Sequence, residues 1–402
     1  MDYVIIGNGV AGVSAAQFLS SKLDSNSTIT QFTDEFIPGY YNRPRIPGFL
    51  ANKEISVNDI IAYDFDWYNR RKIDLHINER VEKINVEAHL IKTTNHSYSY
   101  DQMLIATGAT CLIPPIDGQH LNHFYTIRNL SDAIKIRNRF KSGKKAVIIG
   151  GGVLGLEAAN AAVSQGLKTT VIEYFPYLLP RQLDEEGGKI LQKILESRGI
   201  NILVGKSVQS ILGSEEVERV LINDGSEIPT NIVLVCTGIK PRIDLVKDIL
   251  KINKGIIVNE YLETSISNIY AAGDCAEFQG RIYGLIPPSI EQAKIAAANM
   301  IDPRSEEYYG SKISSTLKVT DLFLSSFGYK GNENELGYES IKFVSKEQYV
   351  KIYVHEDKIK AAIVLGVRKL LPIIKNIFNK ELSLSENLSK IQEITQDIIE
   401  EK

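Results

Sequence analysis

The chain has 402 residues, which as a prior suggests two or three domains of roughly 100–200 residues each. Apolar residues make up 44% and charged residues 24%, so there is ample material for buried cores. The formal charge is −3. A net charge this close to zero favours neither a nucleic-acid nor an anionic-membrane partner.

The cysteines, the N-terminus and the apolar runs point to a cytoplasmic protein. Cys111, Cys236 and Cys275 lie far apart, without a C-x-x-C pair or histidines at metal-ligand spacing, so we expect neither a disulfide framework nor a metal site. The chain starts directly with an apolar strand and not with a basic leader. Its longest apolar stretch, residues 146–163, is broken by glycines and by Glu157, so no membrane span is expected.

The first predicted elements surround a glycine-rich turn. Residues 4–16 read VIIGNGVAGVSAA, an apolar strand, a glycine turn and an alanine-rich helix. Gly7 permits the tight turn, Gly9 lets a diphosphate approach the backbone, and Gly12 lets the helix pack closely on the strand. Asp34 follows the next apolar strand and can accept hydrogen bonds from ribose hydroxyls. The diphosphate is then expected at the helix N-terminus.

The same pattern recurs in the middle of the chain. Residues 147–159 read VIIGGGVLGLEAA, with the three glycines at Gly150, Gly152 and Gly155. Glu173 ends the following strand and would repel the 2′-phosphate of NADPH, so this copy favours NADH. A single glycine turn can serve packing alone, whereas two copies with both acids predict two dinucleotide sites. Such a pair suits hydride transfer from an exchanging nicotinamide to a resident flavin.

Further motifs resemble one superfamily over essentially residues 1–300. They are ATG at 106–108, CTGIKP at 236–241 and NIYAAGDCAEF at 268–278, in the order found in the flavoproteins of the pyridine nucleotide-disulphide oxidoreductase-like superfamily. The resemblance implies an α/β fold of two Rossmann-like, glutathione-reductase-type domains plus a small α+β C-terminal domain. It implies an FAD domain of residues 1–113 and 239–305, an NAD domain of 114–238, and a C-terminal domain of 306–402.

The resemblance also assigns cofactor-binding residues and no acid, base or nucleophile. For tightly bound FAD they are Gly7, Gly9, Val10, Ala11, Gly12, Asp34, Glu35, Arg43, Val81, Ala106, Thr107, Gly108, Arg128, Asp274 and Ile286. For NADH as substrate they are Gly150, Gly152, Val153, Leu154, Gly155, Glu157, Glu173 and Gly238. The alternatives are solvated surface charges for Arg43, Arg128 and Glu157, and a helix cap for Asp274.

Within the superfamily the chain is most similar to NADH:rubredoxin oxidoreductases and to the flavin module of NADH-dependent nitrite reductases. The segments YYNRPR at 40–45, DWY at 66–68 and RQLD at 181–184 carry this similarity, as do residues 317–328. Residues 36–50 hold no redox cysteine, so electrons must leave the flavin directly. Gly48 stands where some relatives place a lysine, which leaves open how Glu157 is balanced. Cys275 is either a packing or a redox residue, and packing is favoured.

The remaining elements follow from periodicity. Residues 84–90 alternate as in a small antiparallel element, and 290–300 form a helix whose N-terminus relatives direct at the flavin. Strands are expected at 317–324, 339–344, 349–354 and 358–365, with a helix from about Arg368. Ser383 and Glu386 predict a capping box for a last helix, whose apolar stripe docks on its own chain or on a partner.

These features predict an FAD-dependent NADH oxidoreductase that reduces a small iron protein such as rubredoxin. One alternative is an NADH oxidase or the flavin subunit of a larger redox complex. A second is a redox-sensing interaction protein like apoptosis-inducing factor, which the absence of a long C-terminal insertion disfavours. A homodimer is possible, and no motif identifies the electron acceptor.

Overall fold

The computed structural model describes residues 1–311, 314–319, 322–328 and 337–400. The chain divides into two compact units. Unit 1 comprises Met1–Phe49, Glu54–Leu112 and Ile239–Ser311, and unit 2 comprises Leu50–Lys53, Ile113–Gly238 and Lys312–Lys402. The division into three domains stays a prediction, because the C-terminal segment groups with the middle of the chain.

Unit 1 is built on a parallel five-stranded sheet in the order β21-β9-β1-β2-β5. Its strands are β1 (Asp2–Ile6), β2 (Thr28–Phe32), β5 (Ile73–His76), β9 (Gln102–Ile105) and β21 (Ile269–Ala271). Helices α1 (Val10–Lys22) and α7 (Ile286–Ile301) pack against one another and against this sheet. The nearly continuous apolar sequence of β1 and β9 matches their burial, as expected for central strands of a parallel sheet.

The other elements of unit 1 are short. They are β3 (Tyr40–Tyr41), α2 (Ile46–Ala51, which runs into unit 2), β4 (Ile61–Tyr63), α3 (Phe65–Arg70), β6 (Val81–Asn85), β7 (Leu90–Thr93), β8 (Ser97–Ser99), β10 (Ala109–Cys111), β19 (Ile239–Pro241), β20 (Ile256–Val258) and β22 (Ala276–Phe278). Strands β6, β7 and β8 form an antiparallel sheet. The antiparallel element expected at 84–90 is therefore present, but those residues are mostly the turn between two strands. Strand β10 pairs antiparallel with β19.

Unit 2 contains a second parallel five-stranded sheet, in the order β11-β18-β12-β13-β14. Its elements are β11 (Phe124–Thr126), α4 (Leu130–Phe140), β12 (Lys145–Ile149), α5 (Val153–Ser164), β13 (Lys168–Glu173), α6 (Glu185–Ser197), β14 (Ile200–Val204) and β18 (Ile232–Val235). The antiparallel strands β15 (Val208–Leu212), β16 (Arg219–Ile222) and β17 (Glu227–Pro229) are inserted before β18.

The C-terminal part of unit 2 is an antiparallel sheet in the order β23-β24-β27-β26-β25. Its elements are β23 (Ser314–Val319), β24 (Leu322–Gly328), β25 (Glu339–Val344), β26 (Tyr349–His355), β27 (Lys358–Leu365), α8 (Leu371–Asn379) and α9 (Leu388–Glu400). The single strand predicted at 317–324 is wrong, because β23 and β24 pair with one another, Val319 opposite Leu322. A run of strand-forming residues does not by itself mark where a chain reverses direction.

Two helix starts differ from the prediction. Helix α7 begins at Ile286 and includes Pro287 and Pro288, because proline needs no N–H partner in the first turn of a helix. The last helix starts with a 3₁₀ turn, Ser385–Asn387, and becomes α-helical at Leu388. Its apolar stripe packs on its own chain, since Ile391 is fully buried in the core of the C-terminal sheet.

The predicted fold class is confirmed by two parallel sheets with helices and a C-terminal antiparallel sheet with helices. Within the described ranges, no helix combines the length and apolarity that crossing a membrane requires.

Candidate functional site

The first glycine loop leaves open space at one of its three glycines. Gly7 has φ +121°, and a Cβ there would overlap the carbonyl oxygen of Ala106. A Cβ on Gly12 would overlap the carbonyl oxygen of Gly7, so α1 packs directly on the turn. At Gly9, by contrast, no described atom lies within 4 Å of where a Cβ would be. Gly7 and Gly12 therefore serve close packing, and Gly9 borders free space.

The N-terminus of α1 has the properties of an anion site. Gly9 is its N-cap, and within the described chain no side chain caps the helix and no acidic residue lies in its first turn. The N–H groups of Val10, Ala11 and Gly12 have no partner inside the helix. Free N–H groups and the helix dipole favour a negative group at this end. The residues thus fit the diphosphate of a dinucleotide.

A pocket of about 270 Å³ opens in front of this loop, within unit 1. It brings together nine of the residues predicted for FAD, namely Gly7, Gly9, Asp34, Glu35, Arg43, Val81, Ala106, Thr107 and Gly108. The strand ends after β1, β2 and β9 contribute most of them, as expected because binding crevices of parallel sheets form at the carboxyl ends of the strands.

Arg43 is held in the pocket by its neighbours. Its guanidinium donates to Glu35 Oε1 at 3.0 Å, and the hydroxyl of Tyr41 donates to Glu35 Oε2 at 2.6 Å. Burial lowers the pKa of Arg43, but Tyr41, Glu35 and Asp274 together raise this pKa above its ordinary value. Arg43 therefore stays positively charged, and the carboxylate of Glu35 serves to orient it.

Asp34 differs in position from its counterpart in the second loop. The N–H of Gly7 donates to Phe32 O, and the N–H of Gly150 donates to Ile172 O, both at 2.8 Å. Glu173 directly follows Ile172, whereas Asp34 comes two residues after Phe32, so Thr33 takes the place of Glu173. When the two loops are aligned by this hydrogen bond, Asp34 thus lies one residue further along the chain than the position that corresponds to Glu173.

The Gly273-Asp274 turn lies beside the first turn of α7. Gly273 has φ +85°, its N–H donates to Gln292 Oε1 at 2.9 Å, and its Cα faces Ala11 and Ser289. Asp274 is close enough to Arg43 to raise the pKa of Arg43. Ile286, the first residue of α7, is 37% exposed.

Cys275 is a packing residue by its environment. It is fully buried, and its thiol donates to the carbonyl oxygens of Ile105 and Ala272 at 3.4 Å. Burial raises the pKa of this thiol, which disfavours the reactive thiolate. Cys111, Cys236 and Cys275 form no disulfide with one another. Within the described chain, no group of His, Cys, Asp and Glu side chains is arranged to hold a metal ion.

The second glycine loop, in unit 2, repeats the geometry of the first. Gly150 has φ +110°, and a Cβ there would lie 2.6 Å from Cys236 O. A Cβ on Gly155 would overlap Gly150 O, whereas the space beside Gly152 is open to 4 Å among described atoms. Gly152 caps α5, whose first turn is formed by Val153, Leu154 and Gly155. The glycines of this loop therefore leave the same open space at a helix N-terminus as those of the first loop.

Two carboxylates accompany this loop. Glu173 is 6% exposed, and its oxygens accept the N–H groups of Gly151 at 2.5 Å and Phe175 at 2.8 Å. Glu157, on α5, has no described partner for its carboxylate, and burial raises the pKa of Glu157 to about 7. The second loop is thus accompanied by one acid that two backbone N–H groups hold and by one acid whose pKa is raised.

Two predicted residues lie at the margins of these sites. Arg128 belongs to unit 2 and precedes α4, where its N–H donates to Asp132 Oδ2 at 2.9 Å, so it is not among the residues lining the unit 1 pocket. Gly238, with φ +125°, ends the middle segment of unit 2. The binding roles of all these residues stay predictions.

Sequence reasoning missed several residues that support the first loop. The Nε2 group of Gln31 donates to Gly7 O at 2.9 Å, and Tyr68 Oη donates to Asn8 Oδ1 at 2.8 Å. Asn8 in turn donates to Gly39 O at 3.0 Å. Arg242 lines the pocket and pairs with Asp34. Of these residues, only Gln31 could have signalled such a role in the sequence, because it is a long polar side chain next to Phe32 in the predicted strand β2.

Known proteins match the whole chain. Residues 1–299 match the pyridine nucleotide-disulphide oxidoreductase family, and 314–382 match the rubredoxin NAD⁺ reductase C-terminal domain. The nitrite reductase [NAD(P)H] of Bacillus subtilis (strain 168) is 35% identical over 98% of this chain. The chain spans about half the length of that relative, 49%.

Two further matches cover nearly the full length of both chains. The NADH-rubredoxin oxidoreductase of Clostridium acetobutylicum is 31% identical over 98% of each chain. The crystal structure of NADH:rubredoxin oxidoreductase from Clostridium acetobutylicum superposes with a TM-score of 0.76 at 30% identity, covering 95% of this chain and 96% of that one. The predicted resemblance is therefore confirmed, as is the expectation of an enzyme family that uses FAD and NADH. This chain belongs to the pyridine nucleotide-disulphide oxidoreductase family.

Proposed function

We propose that this chain is an NADH-dependent flavin oxidoreductase that passes electrons to a small iron protein of the rubredoxin type. The observation that carries the proposal is the pair of open cradles at Gly9 and Gly152, each at the N-terminus of a helix that follows a parallel strand. One cradle is proposed for FAD and the other for NADH. When bound, FAD accepts a hydride from NADH and returns the electrons to an acceptor.

The residues of the chain bind and orient in this proposal. Arg43 and the first turn of α1 would balance the charge of the FAD diphosphate, and Asp274 would bind a hydroxyl of the ribityl chain. Glu173, anchored by two backbone N–H groups, accepts hydrogen bonds from the adenosine ribose of NADH. No side chain is required as acid, base or nucleophile.

The C-terminal domain supports an iron protein as acceptor. Residues 314–382 match a domain named after rubredoxin NAD⁺ reductase, and a relative that matches along its whole length is an NADH-rubredoxin oxidoreductase. Cys275, which follows the Gly273-Asp274 turn, is buried and has a raised pKa, which favours direct transfer from the flavin.

A second candidate is a flavin module that feeds a larger reductase. The nitrite reductase that matches 98% of this chain is about twice as long, so its matching half is one module of a longer protein. In that case the acceptor is another domain or subunit and not a free iron protein. A cytoplasmic location and a homodimer stay predictions.

Anaerobic stopped-flow tests the proposal. Purified protein loaded with FAD is mixed first with NADH and then with either oxidised rubredoxin or oxygenated buffer, and the flavin absorbance near its visible maximum is followed. We expect rapid bleaching by NADH and rapid reoxidation by rubredoxin only. Rubredoxin from which the iron has been removed serves as the control for nonspecific reoxidation.

Each other outcome contradicts part of the proposal. Rapid reoxidation by oxygen alone identifies an NADH oxidase. Slow reoxidation by both acceptors, with an NADH-dependent change in assembly, favours the redox-sensing interpretation or the module of a larger complex. Failure of NADH to bleach the flavin refutes the substrate half of the proposal.

A further inference from the structure

Arg242 is fixed against the pocket of unit 1 by its backbone. It directly follows β19, which pairs antiparallel with β10. The N–H of Arg242 donates to Gly108 O at 2.9 Å, and Thr107 Oγ1 donates to the carbonyl oxygen of Arg242 at 2.7 Å. Thr107 and Gly108 both line the pocket, as Arg242 itself does. These two hydrogen bonds hold the backbone of Arg242 at the pocket wall, independently of any contact of its side chain.

The side chain of Arg242 reaches the acid predicted to bind the FAD ribose. Its Nη1 lies 3.1 Å from Asp34 Oδ2, and the two side chains are 41% and 37% exposed. An ion pair this exposed contributes little to the stability of a protein in water. At a ligand pocket the same ion pair would be stronger, because a bound ligand would remove water from both charged side chains.

Charged side chains of both signs line the pocket. The acidic residues are Asp34, Glu35, Glu79 and Asp244, and the basic residues are Arg43, Arg80 and Arg242. Arg43 is paired with Glu35. Arg242 supplies a cation that pairs with Asp34, and this pairing offsets the negative charge of one carboxylate in a pocket proposed for an anionic cofactor. With Arg242, Asp34 keeps one oxygen paired and the other oxygen free to accept a ribose hydroxyl.

We propose that Arg242 is a positioning residue for FAD, which holds Asp34 toward the adenosine ribose, offsets its negative charge and so slows dissociation of the cofactor. The inference rests on the proposed FAD site of unit 1. It assigns a role to a residue at the second chain crossover that acts through Asp34 and does not contact the reacting flavin ring.

The dissociation rate of FAD tests this proposal. Protein loaded with FAD is diluted into an excess of an FAD-specific apo-flavoprotein as a trap, and the release of FAD is followed by the change in flavin fluorescence. We expect Arg242→Ala to release FAD about three- to tenfold faster than the parent protein, Arg242→Lys to restore most of the difference, and Lys240→Ala to have no effect. Lys240 is an exposed residue of the same strand and does not line the pocket.

The dependence on Asp34 separates positioning from a merely structural role. In an Asp34→Asn background, Arg242→Ala should change the release rate by less than about twofold, because the partner carboxylate is already neutral. Without FAD, the parent protein and the Arg242→Ala and Asp34→Asn variants should have the same melting temperature. Equal release rates for Arg242→Ala and the parent, or an undiminished effect in the Asp34→Asn background, overturn the inference. If the parent protein retains no FAD at all, the proposed function fails instead.

Discussion

At the scale of single residues, the two carboxylates of the second loop behave differently because their hydrogen-bond partners differ. Glu173 accepts two backbone N–H groups, which compensate for its burial. Glu157 has no described partner, and burial raises its pKa to about 7. The sequence placed both acids near the loop, but the folded backbone supplies hydrogen-bond donors to Glu173 and none to Glu157 among the described residues.

Glu157 should make stability depend on pH near neutrality. Its pKa rises from 4.5 to about 7 on folding, so the folded state binds the proton more tightly than the unfolded state. The favourable contribution is present at low pH and is lost as the pH rises through about 7. Relative to Glu157→Gln, the parent protein should lose up to about 3 kcal/mol of unfolding free energy between about pH 5 and pH 8.

Melting temperatures of the parent and of Glu157→Gln, measured by circular dichroism across this pH range, check the expectation. Glu87→Gln, a change at an exposed turn residue, is the control and should follow the parent at every pH. A constant difference between Glu157→Gln and the parent would show that Glu157 stays ionised throughout.

The anchoring of Glu173 determines how its predicted role is best tested. Glu173→Arg should weaken NADH binding and spare FAD, but it also removes the acceptors of Gly151 and Phe175. Glu173→Gln keeps the shape and one acceptor oxygen. We expect it to weaken NADH binding about tenfold while the FAD content stays that of the parent. Anaerobic titration of flavin reduction with NADH measures the affinity, and an unchanged affinity would refute the ribose assignment.

At the scale of elements, each glycine loop combines packed and open positions. The packed positions, such as Gly12, allow the helix to contact the turn, and the open position Gly9 has free space in front of it. Both are glycines in one short motif, so the sequence pattern alone assigns their roles only by analogy. The atoms around each glycine Cα in the structure show which position is packed and which one is open.

Alanine at Gly9 and at Gly12 should therefore have opposite consequences. Gly9→Ala has room for its methyl group and a φ of −81° that alanine adopts, so the apo-protein should melt within about 2 °C of the parent but lose FAD on purification. Gly12→Ala should destabilise the apo-protein itself by about 1–3 kcal/mol, because the methyl group would overlap Gly7 O.

Absorbance of bound flavin per protein and melting of the apo-protein measure the two effects separately. Full FAD occupancy in Gly9→Ala would contradict a diphosphate at this helix N-terminus. An apo-protein of Gly12→Ala as stable as the parent would contradict the packing role.

At the scale of the whole molecule, the two cradles lie in separate compact units, and each unit has its own parallel sheet. The residues predicted for FAD gather in unit 1 except Arg128, and those predicted for NADH all lie in unit 2. Ligands of the two sites should therefore act on different parts of the chain.

Ligand-dependent melting tests this separation. In the parent apo-protein, FAD and NAD⁺ should each raise the melting temperature, by an amount equivalent to about 2.7 kcal/mol at a hundredfold excess over the dissociation constant. Gly9→Ala should abolish the effect of FAD and preserve that of NAD⁺, and Gly152→Ala should do the reverse. Loss of both effects in either variant would indicate one shared site.

The sequence by itself determined the family, the fold class and the two glycine loops, because these depend on short local patterns of apolar runs, glycines and acids. It also indicated nine of the residues that line the unit 1 pocket. Only the tertiary structure decided the reversal between β23 and β24, the pairing of Asp34 with Arg242 across 208 positions, and the partnerless burial of Glu157. These three features depend on contacts between different segments of the chain, and the sequence pattern of either segment alone does not indicate such contacts.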